Sequence, residues 1–138
     1  MDTGEIAYFM SDERKFRGVF PSDKLPNIKR RPCGVIVNID KSGEPGSHWI
    51  AIYFGKDFQG EYFDPLGLPP RLFPNIETYL RRVCKSVKWN NLQIQSVRSI
   101  ACGLFCVHYL KNRFNGQSAS KILSSFSHKN PQLNDYLV

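Results

Sequence analysis

The chain has 138 residues and a formal net charge of +7, from 19 Lys and Arg against 12 Asp and Glu. With 41% hydrophobic and 13% aromatic residues, it has the means for one core in one domain, residues 1–138, and is too apolar to stay disordered. No apolar run reaches the roughly eighteen residues of a membrane span, and the start from Met1 to Ala7 lacks the basic-then-apolar pattern of a signal peptide.

Residues 1–32 read as irregular, with short apolar pieces (Ile6 to Met10, Gly18 to Phe20) set among charges and prolines. Lys29, Arg30 and Arg31 form a basic cluster whose default place is a solvated loop. Cys33 to Ile39 is β-branched and continuous, which predicts a buried strand. Asp40 to Ser47, with two glycines and a proline, predicts a turn. A second strand is expected from His48 to Phe54 and a third from Gly60 to Asp64, joined by a hairpin-length connection, Gly55 to Gln59. These three strands predict an antiparallel core sheet.

Pro65 to Pro74 holds four prolines and reads as a loop. Ile76, Tyr79, Leu80 and Val83 then fall on one helix face, with Glu77, Arg81 and Arg82 on the other. Val87 to Gln95 predicts another strand. A central helix is expected from about Cys102 to Phe114, stopped by Asn115 and Gly116, which tolerate the left-handed conformation after a helix. Ser118 suits the cap of a short helix through Phe126, and Asn130-Pro131 the start of a last one. That last helix has room for only two turns before Val138, which suggests a chain cut short there. No repeat or low-complexity segment is found.

The chemistry centres on Cys102. At a helix N-terminus, unpaired N–H groups and the positive end of the helix dipole favour an anion, so a thiol there ionises more easily. Gly103 lets another backbone or a substrate approach closely. The bland reading is a buried helix with two core cysteines. Upstream partners weigh against it. His48 begins one predicted strand and Asp64 ends the next, so a hairpin brings them to one sheet edge. There a carboxylate holds the imidazole in one tautomer, and the imidazole takes the thiol proton. Gln95, seven residues before Cys102, suits an oxyanion donor alongside the Cys102 N–H. Taken singly, His48 reads as a strand-end histidine and Asp64 as a turn former before proline. Together, the four make coincidence the poorer account. The remaining cysteines, Cys33, Cys84 and Cys106, form no Cys-x-x-Cys pair, and the three histidines do not bracket them with zinc spacing. An intracellular, reduced protein without a structural metal is expected.

Gly-Ser-His-Trp-Ile-Ala from Gly46, Tyr-Phe-Asp-Pro-Leu-Gly from Tyr62, Gln95, and Ala-Cys-Gly-Leu-Phe-Cys from Ala101 together resemble the adenovirus maturation protease (adenain) family. The resemblance runs from about Tyr8 to Phe114 and includes Phe16 to Leu25 and Gly34 to Asn38. It implies an α+β, papain-like fold with a mostly antiparallel sheet packed against helices and the nucleophile at the start of the central one. It also implies His48 as base, Asp64 as orienting acid, Cys102 as nucleophile and Gln95 as oxyanion donor. Two departures stand out: Asp64 replaces the glutamate usual in the adenovirus enzymes, and the chain is shorter at its C-terminus. Aspartate is usual in the related proteases of ubiquitin-like proteins. The departures suit a gene of a large virus-like DNA transposon or a related virus.

The leading expectation is a monomeric cysteine endopeptidase that cuts viral structural precursors at glycine-containing sites, in a host nucleus or virion. No cofactor is required by the chemistry. The resemblance implies an activating viral peptide, attached at Cys84, and DNA bound to the basic surface. Trp49, beside the base, suits the roof of a narrow slot that admits glycine, although strand alternation also allows it to face the core. The rivals are an isopeptidase for SUMO or another ubiquitin-like protein and a basic nucleic-acid-binding module, which predicts an unreactive Cys102. A chymotrypsin-like viral cysteine protease needs two barrels, for which the chain is too short.

Overall fold

The computed structural model describes residues 1–43, 48–96 and 101–138. A single five-stranded sheet runs β1 (Phe16–Pro21), β2 (Cys33–Asn38), β3 (Trp49–Phe54), β4 (Gln59–Phe63) and β5 (Ser86–Trp89), with neighbours in space following the order of the chain. The expected antiparallel core is its centre: Val35 pairs with Ile52 and Ile52 with Tyr62. Both outer pairs, β1 with β2 and β4 with β5, are parallel.

β2 and β3 are buried along their whole length, which is why they read as continuous apolar runs. Alternate residues serve opposite faces. Ile36, Trp49, Ala51, Tyr53 and Phe63 point toward α3 (Cys102–Phe114), beside which lie α1 (Thr3–Phe9) and α4 (Ala119–Ser124). Val35, Val37, Ile50, Ile52, Phe54 and Tyr62 meet Ile76, Tyr79 and Leu80 of α2 (Pro74–Val83) on the other face. Burying each such aliphatic or aromatic side chain contributes about 1.5–3 kcal/mol before the loss of conformational freedom is counted.

α3 starts and stops where expected. Asn115 caps it and Gly116, at φ 91°, turns the chain away. Phe63 stacks on Tyr109 with ring centroids 4.4 Å apart, and Arg113 grips both carboxylate oxygens of Glu61 at 2.9 Å. These contacts fix the helix on β4, and with it the position of its first residue.

Three readings of the sequence need revision. The first 32 residues are not all irregular. Asp2 and Glu5 form a capping box that starts α1, and Ile6 and Met10, four apart, bury against α3. β1 lacks alternation because its edge place leaves most residues half-buried. The expected strand from Val87 to Gln95 ends at Trp89, since Asn90 spends its side chain on the neighbouring loop. The last helix is a 3-10 turn, Pro131–Leu137, and the Asn130 side chain does not cap it. Ser118 does cap α4, accepting from the Lys121 N–H. Of the turn expected between Asp40 and Ser47, residues 44–47 lie outside the described residues.

Candidate active site

β3 and β4 run antiparallel, so the residue before one and the residue after the other meet at one sheet edge. His48 Nε2 lies 2.6 Å from Asp64 Oδ1, with Asp64 fully buried and His48 nearly so. One carboxylate oxygen and the main chain of Asp64 are both held. Asp64 Oδ1 also accepts from the Leu66 N–H at 2.8 Å, and the Asp64 main chain exchanges two hydrogen bonds with the Asn90 side chain, at 2.9 and 2.6 Å. With Nε2 committed to Asp64, the other ring nitrogen is left for Cys102, whose thiolate the nearby imidazole favours.

Cys102 is the first residue of α3, after Ala101 in the cap position. Burial pushes the Cys102 thiol up, but the hydrogen bond from His48 and the N–H groups of Trp49 and Gly103 outweigh it, so it ionises below the usual thiol range. Burial works against a charged His48, yet the bonds to Asp64 and Cys102 raise it to about 9. Opposite shifts of this kind favour a thiolate–imidazolium pair at neutral pH. Cys106, one turn further along, is fully buried and pushed well above the ordinary thiol range by that burial.

Gln95 is buried on the segment after β5 rather than at the end of a strand. Its N–H and that of Ile94 both donate to Pro65 O at 2.8 Å, one residue beyond Asp64. Residues 97–100, which join it to Ala101, lie outside the described residues. Cys84, half-buried at the end of α2, sits under Gly60, where an added Cβ would come within 2.7 Å of its sulfur. Burial raises the Cys84 thiol, against a hydrogen bond from Arg31. Arg31 is not free in the basic cluster: it donates to Val83 O at 2.6 Å and lies over the rings of Phe54 and Phe58. Trp49 faces α3, is 8% exposed and gives its indole N–H to Met1 O at 3.0 Å.

Two supporting residues escape a reading of the sequence. Asn90 anchors Asp64, as above. Asn134, fully buried, bonds Ile94 O at 2.8 Å and both the N–H and O of Ser127, tying the C-terminal turn to the segment that carries Gln95. Neither belongs to a periodic pattern, and a lone asparagine gives no signal of its own. Among the described residues, no three His, Cys, Asp or Glu side chains are placed to hold a metal ion, and no helix is long and apolar enough to cross a membrane.

A two-faced sheet with a cysteine at the head of the central helix and a buried His–Asp pair beside it defines the α+β class of adenain-like cysteine protease folds. The homologues agree. The chain is 28% identical over 140 residues to a cysteine protease of African swine fever virus, covering 88% of this chain and 50% of the relative. It is 29% identical over 147 residues to a protease of human adenovirus B serotype 3, covering 91% and 67%. A relative from another African swine fever virus isolate, named a SUMO-1 cysteine protease, is 26% identical over 113 residues, covering 71% and 41%. Among solved structures, an African swine fever virus protease matches with TM-score 0.55 at 18% identity over 96% of this chain and 62% of that one. The central domain of an uncharacterized Legionella pneumophila protein matches with TM-score 0.61 at 16% identity, over 99% and 90%. No family model matches. The chain is thus a homologue of the adenain-like cysteine proteases of adenoviruses and African swine fever virus. It spans half of the first relative's length and two thirds of the second's.

Proposed function

We propose that the chain is a cysteine endopeptidase domain in which Cys102 is the nucleophile, His48 the base and acid, and Asp64 the group that orients His48. The observation that carries this reading is the buried 2.6 Å His48–Asp64 contact beside a thiol whose ionisation is favoured. The Cys102 thiolate attacks the peptide carbonyl carbon, and the electron pair moves to the oxygen. Gln95 and the Cys102 N–H stabilise that oxyanion. His48 gives its proton to the leaving amine as the C–N bond breaks, leaving a thioester. A water molecule then attacks the thioester, His48 takes its proton, the C–S bond breaks, and the carboxylic acid product leaves a Cys102 thiolate beside protonated His48.

Glycine at the cut and viral precursor proteins as substrates are proposed from the resemblance, and the viral source of the relatives supports the second. An activating peptide disulfide-linked at Cys84, and DNA on the exposed basic groups Arg81, Arg82, Lys85 and Lys88, belong to the same proposal. A second reading, cleavage of SUMO or another ubiquitin-like protein, is favoured by Asp64 as the acid and by the relative named a SUMO-1 cysteine protease. A mixed peptide library and one SUMO conjugate, each incubated with the protein and the new termini sequenced, test both. Cuts after glycine in the library support the endopeptidase, and release of SUMO alone supports the rival. A protein that cuts neither, with an inert Cys102, supports the non-catalytic nucleic-acid-binding module.

A further inference from the structure

Four cationic side chains line a cavity of about 480 Å³ between the start of β1 and the loop that leads into β2. Arg14 and Arg17 come from the first segment and Lys29 and Arg30 from the second, while Ile28 and the buried Cys33 add apolar wall. No Asp or Glu is in the lining. Arg17 Nη1 donates to Arg14 O at 2.6 Å, and its remaining N–H groups are unspent among the described residues. Elsewhere, cations near a carboxylate take it: Arg113 holds Glu61, Arg81 pairs with Glu77, and Lys111 with Asp12. Among the described residues, none of Arg14, Arg17, Lys29 and Arg30 has such a partner.

Like charges around one concavity repel each other, and water and salt screen that repulsion without removing it. A ligand with several negative charges in a small volume relieves all four cations at once, which a single carboxylate cannot do. Three of the four are arginines, whose planar forks match pairs of phosphate oxygens. The volume is in the range of small-ligand sites. A nucleic-acid duplex strings its charges along an axis and fits a basic stripe better than a concavity. The cavity is also remote from the proposed chemistry. Phe16 pairs with Gly34 and Cys33 with Phe54 at one end of the sheet, whereas Asn38 pairs with Trp49, next to His48, at the other. β2 has six residues, so roughly 17 Å separates its two ends.

We propose that this cavity binds a compact polyphosphate, an anion with two or more phosphate groups close together, clamped between Arg14 and Arg17 on one segment and Lys29 and Arg30 on the other. Bound there, the anion ties the start of β1 to the loop before β2, two segments that like charges otherwise push apart. The site stands independently of the peptidase reading, since none of these residues belongs to the proposed triad.

The test is calorimetric titration of the full chain with inorganic triphosphate at about 0.05 M salt, where surface charge is only partly screened. One triphosphate per chain is expected, bound about tenfold or more tightly than orthophosphate. Arg17→Gln combined with Lys29→Gln should weaken triphosphate about tenfold. Lys121→Gln combined with Lys129→Gln removes the same charge from exposed positions outside the cavity and should stay within about twofold. Triphosphate should also raise the unfolding temperature of the wild-type chain and leave that of the Arg17, Lys29 variant nearly unmoved. No binding, several weak sites per chain, or equal losses in the two double variants would reduce the cavity to diffuse surface charge and overturn the proposal. A short DNA duplex that displaces triphosphate, binds more tightly and depends on Arg17 and Lys29 would overturn it too, in favour of a nucleic-acid contact. If the Arg17, Lys29 variant shows no cooperative unfolding, Arg30→Gln, an exposed position, decides in its place, with a loss of about fivefold expected and an unchanged affinity counting against the site.

Discussion

The first and second turns of α3 each hold a cysteine, and the two thiols are pushed in opposite directions. Cys102 meets an imidazole and two backbone N–H groups, which more than offset its burial. Cys106 meets apolar neighbours and nearby negative groups, with nothing to balance the loss of water. Both belong to one helix and the same Cys-x-x-x-Cys stretch, so helix and composition alone do not decide reactivity. What decides it is which strand ends the helix faces. Cys102 is directed at the edge where His48 and Asp64 meet, whereas Cys106 is enclosed in the core that holds Phe105 and Phe126.

The sharpest way to break that comparison is to exchange each thiol for a methyl. Cys102→Ala should abolish peptide hydrolysis, by 10⁴-fold or more on the order seen when a nucleophile is removed. Cys106→Ala should keep turnover within about twofold and cost about 1 kcal/mol in denaturant unfolding, the lost packing of a small buried group. Comparable losses in both variants would leave no reason to separate the two turns.

Gln95→Ala comes next. As an oxyanion donor it should lower turnover by about 100- to 1,000-fold with little change in KM. Near-normal turnover would move the role to Gln93 or leave the backbone N–H of Cys102 alone. Asn90→Ala leaves Asp64 in place but unanchored. Turnover should drop on the order of 30-fold and stability by about 1–3 kcal/mol, since the Asp64 main-chain groups lose their partners. Steady-state kinetics beside urea melts separate the two effects.

The smallest effect is in pH. His48 binds its proton up to about pH 9 in the folded chain against 6.5 for an ordinary imidazole. Its contribution to stability is therefore fully present below 6.5 and is lost as pH rises through about 9. Cys102, shifted down, contributes above the ordinary thiol range and loses that contribution as pH falls through its own lowered value. Activity should then decline about tenfold between roughly pH 8 and 10 as the imidazolium is lost. In Asp64→Asn the alkaline limb should move to lower pH. An unmoved limb would assign it to another group.

The contrast also explains which features are legible in the sequence. Cys102 and Asn115-Gly116 mark the ends of α3 because caps and glycine act locally. The buried strands β2 and β3 are legible because continuous apolar runs have few other readings. His48 and Asp64 are found by topology, since an antiparallel pair must bring the start of one strand to the end of the next. Parallel edge strands carry no such rule, and β1 and the shortness of β5 stay hidden. α1 is easily missed although its capping box, Asp2 and Glu5, is written in the sequence, because seven residues are too few for a clear period. Asn90 and Asn134 act through long-range partners, 26 and 40 residues away in the case of Asp64 and Ile94, and no local pattern announces them.

One measurement bears on the central claim most directly. The native protein at neutral pH is treated with iodoacetamide below one equivalent, and the four cysteines are mapped by mass spectrometry. Cys102 should carry nearly all the label, and His48→Ala should remove that preference by returning the thiol toward its ordinary range. Equal labelling of Cys84 and Cys102, or Cys102 labelling that is indifferent to His48, would contradict the account.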